Sequence, residues 1–259
     1  MDFEIMKFQT LLSCCLVGLC LLLGILRVNA AEQTDSIPKM KVHYQFSLNA
    51  NYSKNTAVQF LAVTNNAVSF QKGRSGFSQL LNYQYSTLKA SPSSITVNLL
   101  NETQLTSRFD YTIKRFKPFG LFGFERSNIR TIKNRLYGIA GMDYGLITKK
   151  NSHVSPLIGL CSESTDYLDN SKSDYYSLVF GLRGFHNDTR NKSRINYFGY
   201  FFKSMATSQW RYQLTLTGMI KIVKSLYGTV NLNALQENIF NQDISQPITS
   251  ISFGLTFTN

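Results

Sequence analysis

The chain has 259 residues, a formal net charge of +12 and four cysteines. A basic balance of this size calls for a polyanionic partner or surface. Three of the cysteines (Cys14, Cys15, Cys20) crowd into one apolar stretch near the start, leaving Cys161 alone, which excludes a disulfide-stapled secreted domain.

Residues 1–30 read as a signal peptide. Lys7 gives a positive start, Leu11 to Leu26 an apolar run, and Val28-Asn29-Ala30 small residues for cleavage before Ala31. An uncleaved anchor is the competing reading, because the run approaches the lower length of a spanning helix. Lys7 and Arg27 balance Asp2 and Glu4, so cleavage would leave the charge unchanged. An exported basic chain is not expected to meet nucleic acid; anionic lipid headgroups or polyanionic envelope polymers become the natural partners.

Residues 31–41 form a polar lead-in, and 42–259 one domain. From Val42 the chain is a series of segments alternating with period two, separated by turn residues. Val42, Tyr44, Phe46 and Leu48 oppose His43, Gln45, Ser47 and Asn49. A second segment ends at Lys72-Gly-Arg-Ser-Gly76, and a third sets Leu81, Tyr83 and Tyr85 against Asn82, Gln84 and Ser86. In the fourth, Leu105, Phe109 and Tyr111 lie opposite Glu102, Gln104, Thr106, Arg108 and Asp110.

The fifth, Pro118 to Arg126, is rich in Gly and Phe. The sixth opposes Leu136, Ala140, Met142 and Tyr144 to Arg135, Tyr137, Gly141 and Asp143. A seventh spans His153 to Glu163. In the eighth, Tyr176, Leu178, Phe180 and Leu182 alternate with Tyr175, Ser177, Gly181 and Arg183. The ninth, Arg194 to Ser204, is aromatic on both faces. Segments two, five, seven and nine leave their register open.

The tenth is the clearest. Trp210, Tyr212, Leu214, Leu216, Gly218, Ile220 and Ile222 face one way, with Arg211, Gln213, Thr215, Thr217, Met219 and Lys221 opposite. An eleventh runs from Leu226 to Phe240. The last sets Ile251, Phe253, Leu255 and Phe257 against Ser252, Gly254 and Thr256. About twelve strands, each near the ~9–11 residues that a tilted strand needs to cross a bilayer, predict an all-β chain: a single antiparallel transmembrane β-barrel in the bacterial outer membrane, preceded by a cleaved signal peptide. Abundant aromatics, 14 Tyr and 19 Phe, fit outward-facing rings and interfacial girdles. A soluble periplasmic β-barrel binding protein is the alternative, but it would have to expose Trp210, Leu214 or Leu255 to water.

Glu125-Arg-Ser-Asn-Ile-Arg130 followed by Asn134-Arg-Leu-Tyr-Gly-Ile-Ala-Gly-Met-Asp-Tyr-Gly-Leu146 resembles the central signature of the salt-induced outer-membrane proteins, domain of unknown function 481. Ser53-Lys-Asn-Thr56 resembles that family's turn after the first strand, and Ser107-Arg-Phe-Asp110 its Arg-Tyr-Asp segment. Lys54 replaces the turn glycine, Ser127 an acidic residue, and Asp143 interrupts the glycine run. The resemblance implies an outer-membrane barrel and brings no activity with it.

Glu102, Arg108, Asp110, Glu125, Arg135 and Asp143 fall on polar faces and form the candidate lumen charge cluster, expected as a neutralising network in preference to a pore lining. If the N-terminus is periplasmic, turns after even-numbered strands build a basic periplasmic rim from Lys72, Arg74, Lys114, Arg115, Lys117, Lys149, Lys150, Arg190, Lys192, Arg194, Lys221 and Lys224, facing phospholipid or peptidoglycan. Acidic Asp166, Asp169, Asp174 and Asp243 fall in the opposite loops. Ile251, Phe253, Leu255 and Phe257 form a candidate assembly signal for the barrel-assembly machinery, displaced two residues from the end by Thr258 and Asn259.

No catalytic, cofactor or metal site is expected. His43, His153 and His186 share no ligand spacing, and His153-Val-Ser155 and His186-Asn-Asp188 read as turn residues. The functional expectation is therefore a non-enzymatic barrel, either a structural or stress-related envelope protein or a narrow passive channel.

Overall fold

A computed structural model describes residues 40–54, 58–89, 97–188, 192–238 and 248–258; of 50–61, 88–89, 97–100 and 248, at most the backbone is described. The signal-peptide reading, nearly all of the polar lead-in, Arg190 and Asp243 lie outside the described residues.

The strands are β1 (Lys41–Lys54), β2 (Val58–Lys72), β3 (Ser75–Lys89), β4 (Val97–Tyr111), β5 (Phe116–Ser127), β6 (Ile132–Tyr144), β7 (Ile147–Lys149), β8 (Ser152–Tyr167), β9 (Lys172–Asn187), β10 (Ser193–Ser204), β11 (Trp210–Val223), β12 (Leu226–Asn238) and β13 (Ile248–Thr258). Each pairs antiparallel with its neighbours, β6 passes directly to β8, and β1 pairs with β13. The result is a closed barrel of twelve strands, with β7 a short spur on β8. Closure pairs every barrel strand on both sides and removes the exposed edges that an open sheet would carry.

The faces are inverted relative to a soluble barrel. Leu214, Leu216 and Ile220 on β11 are exposed, as are Phe253, Leu255 and Phe257 on β13 and Phe46 and Leu48 on β1. Ser47, Asn49, Ser252 and Thr256 are buried inside. An apolar outer surface of this extent is stable in hydrocarbon and a liability in water. The soluble-barrel alternative fails on this arrangement, and the chain is a transmembrane β-barrel.

The open registers resolve on packing. On β5, Phe119, Gly123, Glu125 and Ser127 are buried, whereas Gly120 and Phe122 face out. Gly123 stands opposite Tyr137 of β6, whose ring covers the place where a Cβ would sit. Gly141 makes similar room for Phe119. On β8, Ser155, Leu157, Cys161, Glu163 and Thr165 turn inward, and on β10 so does Phe202. Phe119, Tyr137, Ile139, Leu157, Cys161, Val179 and Phe202 form an apolar cluster on one inner wall, so much of the lumen is filled by side chains.

His153 and Ser155 correct the turn reading given to them. Both lie within β8, because the alternation of that strand begins at Ser152, before the turn residues run out.

Candidate functional site

The six lumen charges all turn inward, but they form two networks. Glu102, Glu125 and Arg135 belong to the end near the β5–β6 turn. Arg108, Asp110 and Asp143 lie farther along the same strands, toward the β4–β5 turn, with Gln104 and Tyr137 between the two groups on β4 and β6.

Arg135 is the centre of the first network, with a side chain wholly removed from solvent. Its Nη1 donates to Glu125 at 3.0 Å and to Glu237 of β12 at 3.0 Å, and its Nε lies 2.9 Å from Glu163 of β8. Arg211 of β11 reaches the other oxygen of Glu163 at 2.9 Å, and Tyr175 donates to Glu163 at 2.6 Å. Arg130 completes the layer from the β5–β6 turn, donating to Glu125 at 2.6 Å and Glu102 at 3.2 Å.

The turn that carries Arg130 is bent to deliver it. Irregular pairings at Glu125/Ser127 and Ile132/Asn134 flank it, and bulges of this kind re-aim side chains. Thr131 adopts φ 53°, a left-handed conformation that a β-branched residue takes at a cost. Burial alone would lower the Arg130 pKa, but Glu125, Glu237 and Glu102 together outweigh it and hold the guanidinium above its ordinary value. Three guanidinium groups meet four carboxylates here, so the layer is close to neutral. Buried charges survive only under such pairing.

Below that layer, Gln104 of β4 meets Gln213 of β11, Nε2 of the latter donating at 3.2 Å. In ring order β4 and β11 stand on opposite sides of the barrel. Gln104 also donates to the Tyr137 hydroxyl at 3.3 Å. The lumen is thus crossed twice, by a neutral amide pair and by an ionic layer.

Beyond the amide pair lies a cavity of about 530 Å³ in the other half of the barrel. Asp143 accepts from Arg108 at 2.8 Å and pairs with Arg183 of β9 at 2.7 Å. Asp110 is 3.5 Å from Arg108 and 3.8 Å from Lys117. The Lys117 and Arg183 side chains keep 28% and 26% of their exposure, whereas Arg130 and Glu237 keep 2% and 1%. Solvent therefore reaches the second network through Lys117 and Arg183, and touches the first only at its edge, where Glu102 keeps 18%.

The basic turn residues gather at this end. Lys72, Arg74, Lys114, Arg115, Lys149, Lys150, Lys192, Lys221 and Lys224 are exposed at or beside the turns on the side where β1 starts and β13 ends. Lys117 and Arg194 depart from the expected rim. Each lies two residues from an inward neighbour, Phe119 and Asn196, so alternation turns both into the cavity. At the far end Asp166, Asp169 and Asp174 lie at or near the β8–β9 turn, where Lys172 pairs with Asp166 at 3.1 Å.

Sequence reasoning passed over Arg130, Glu163, Glu237, Arg183 and Arg211. Ser155 Oγ also lies 2.7 Å from His153 Nε2. Among the described residues no carboxylate hydrogen-bonds that ring, and Ser155 is buried away from the cavity that His153 lines. The pair lacks the third member and the access that nucleophilic catalysis uses. Ile251, Phe253, Leu255 and Phe257 all stand on the outer face of β13.

The family model described as a protein of unknown function, DUF481, matches residues 72–258. No curated protein matches the sequence. Solved structures similar in outline include the NanC porin (7% identity, 84% of this chain and 99% of that one, TM-score 0.48). An outer-membrane channel from Pseudomonas putida F1 matches at 10% identity over 88% and 99%, TM-score 0.45. The translocator domain of the autotransporter NalP from Neisseria meningitidis matches at 9% over 89% and 91%, TM-score 0.43.

Proposed function

We propose for this chain, which belongs to the DUF481 family of proteins of unknown function, a role as a sealed, non-enzymatic barrel of the bacterial outer membrane that serves the envelope structurally or under stress. The observation that carries the sealed reading is Arg135, wholly buried while it joins Glu125, Glu163 and Glu237 from three different strands. Ions or solutes would have to pass a layer in which each partner holds several others. Removing one member of a buried ionic cluster costs about 3–5 kcal/mol, so thermal opening of the whole layer is rare.

The outer-membrane assignment is supported by the inverted faces and by strand closure, which satisfies backbone groups in hydrocarbon. Its partners on this reading are membrane lipid around the belt and the barrel-assembly machinery at the last strand. The stress-related role rests on the sequence resemblance to salt-induced outer-membrane proteins. A narrow passive channel is the second reading, favoured by the solvent-reached cavity; it needs the Arg135 layer to shift.

Refolded protein in a planar bilayer decides between them. Silence is expected. Stable open-channel steps would overturn the sealed reading, with heat-modifiable gel migration scored first to establish that the barrel has formed.

A further inference from the structure

The cavity beyond the Gln104–Gln213 pair carries more positive charge than its own carboxylates neutralise. Arg108, Lys117, Arg183 and Arg194 line it, against the two nearby carboxylates Asp110 and Asp143. The ionic layer above has the opposite balance, three cations to four carboxylates. The excess positive charge is therefore confined to one compartment of the lumen.

Arg108 is held by Asp143, Asp110 and the Phe119 ring, whereas Arg194 is only partly engaged. Arg108 is 5% exposed, and its Nη1 is buried without a hydrogen-bond partner. Arg194 donates to the Asn196 side chain at 2.6 Å and makes no ion pair among the described residues. Its guanidinium lies over the Phe185 ring, 5.0 Å from the centroid.

The remaining walls are aromatic. Phe185, Phe198, Tyr200 and Phe202 line the same space, with Phe185 stacked on His153 at 6.0 Å between centroids. Arginines that fork onto oxyanions, beside rings that accept a flat or apolar body, favour a ligand with both parts. A cavity near 530 Å³ suits a small molecule and is too small for a polymer.

We propose that this blind cavity binds a small organic anion, one phosphate or carboxylate group carried on a ring or short apolar body. The oxyanion sits among Arg108, Arg183, Arg194 and Lys117, and the body lies against the aromatic wall. The same chemistry is presented by a soluble organic phosphate and by the headgroup end of a short-chain phospholipid. Binding rests on the barrel reading, because the inward direction of these side chains comes from the barrel.

The test is titration calorimetry on the refolded full chain in detergent, with phenyl phosphate as probe and phenol as its uncharged counterpart. Phenyl phosphate is expected to bind at least tenfold tighter than phenol. Arg194→Gln with Lys117→Gln should weaken it at least tenfold, whereas Arg74→Gln with Lys224→Gln, which removes equal charge from the rim, should leave it unchanged. Absence of binding in the folded wild type overturns the site. So does equal loss in both double variants, which would assign the affinity to surface charge.

Dihexanoyl phosphatidic acid added as competitor separates the sources. Displacement of phenyl phosphate identifies a lipid headgroup as occupant, and failure to displace it a soluble anion; each supports the anion site. Bilayer recording of the same preparation keeps the two readings distinct. Silent protein without binding sinks the site and leaves the sealed barrel standing, while conducting protein with binding does the reverse.

Discussion

Arg135 of β6 donates through Nη1 to Glu237 of β12 at 3.0 Å, joining residues 102 positions apart across the inside of the barrel. The bond fixes one wall against another that it never meets through backbone pairing. Arg135→Met would leave Glu237, Glu125 and Glu163 with one fewer cation in a space closed to water. The expected loss is about 3–5 kcal/mol, read as an earlier midpoint in urea unfolding followed by heat-modifiable migration. Adding Glu237→Gln should recover part of it, because one stranded carboxylate disappears. If the two substitutions simply added, the pair would not be coupled.

The β5–β6 glycines make a cleaner packing test, since they share one strand pair and differ in what lies over them. The Tyr137 ring occupies the Cβ position of Gly123, while nothing lies within 4 Å of that position at Gly120 or Gly138. Gly123→Ala should cost about 1–3 kcal/mol through overpacking. Gly120→Ala and Gly138→Ala, facing out, should stay within about 0.5 kcal/mol of wild type. Comparable losses at all three in the same unfolding assay would show that backbone freedom, and not the Tyr137 ring, sets the need for glycine.

These contrasts also mark what could be read from the chain alone. Where a strand has one lipid face and one polar face, as from Trp210 to Ile222, period two fixes orientation outright, and Arg135, Tyr137 and Asp143 were placed inward on that ground. It fails where both faces are apolar. Phe119 and Phe122 are the same residue type on opposite faces of β5, and Tyr137 and the glycine opposite it decide which ring is covered. Arg130 was beyond reach for a different reason. It sits in a turn, where charge is ordinarily solvated, and only the bulges on either side fold it inward. Arg211 had legible orientation but no legible partners, because contacts across a lumen depend on barrel closure and carry no local signature.

The charge separation between the two ends gives a topology prediction. Lys149 is exposed at the basic end, and Asn170, with φ 66°, at the tip of the opposite β8–β9 turn. With the basic rim in the periplasm, Asn170→Cys should react with a membrane-impermeant maleimide on intact cells, and Lys149→Cys should react only after lysis. Cys161 gives little background, being 2% exposed inside the barrel. Labelling of Lys149→Cys from outside with Asn170→Cys silent would invert the barrel and place the basic rim on the cell surface.

The closing seam is where the last strand is tested. β13 runs against β12 from Ile248 to Phe257, but among the described residues it meets β1 only where Gly254 to Thr258 face Asn49 to Gln45. Within that short seam Phe257 pairs with Phe46 and Leu255 with Leu48, all four exposed on the outer face. Phe257→Ala removes lipid-facing surface at the seam itself and changes the aromatic residue offered to the assembly machinery. It should lower the folded fraction in vivo several-fold, read as the heat-modifiable band in outer-membrane preparations. Deleting Thr258 and Asn259 sacrifices the Gln45–Thr258 rung and the bond from the Thr258 amide to Ser225, yet keeps every outward residue from Ile251 to Phe257. That truncation should therefore assemble close to wild type. If instead the truncation failed and Phe257→Ala assembled normally, backbone closure at the final rung would govern assembly, and the outward residues would serve only the lipid.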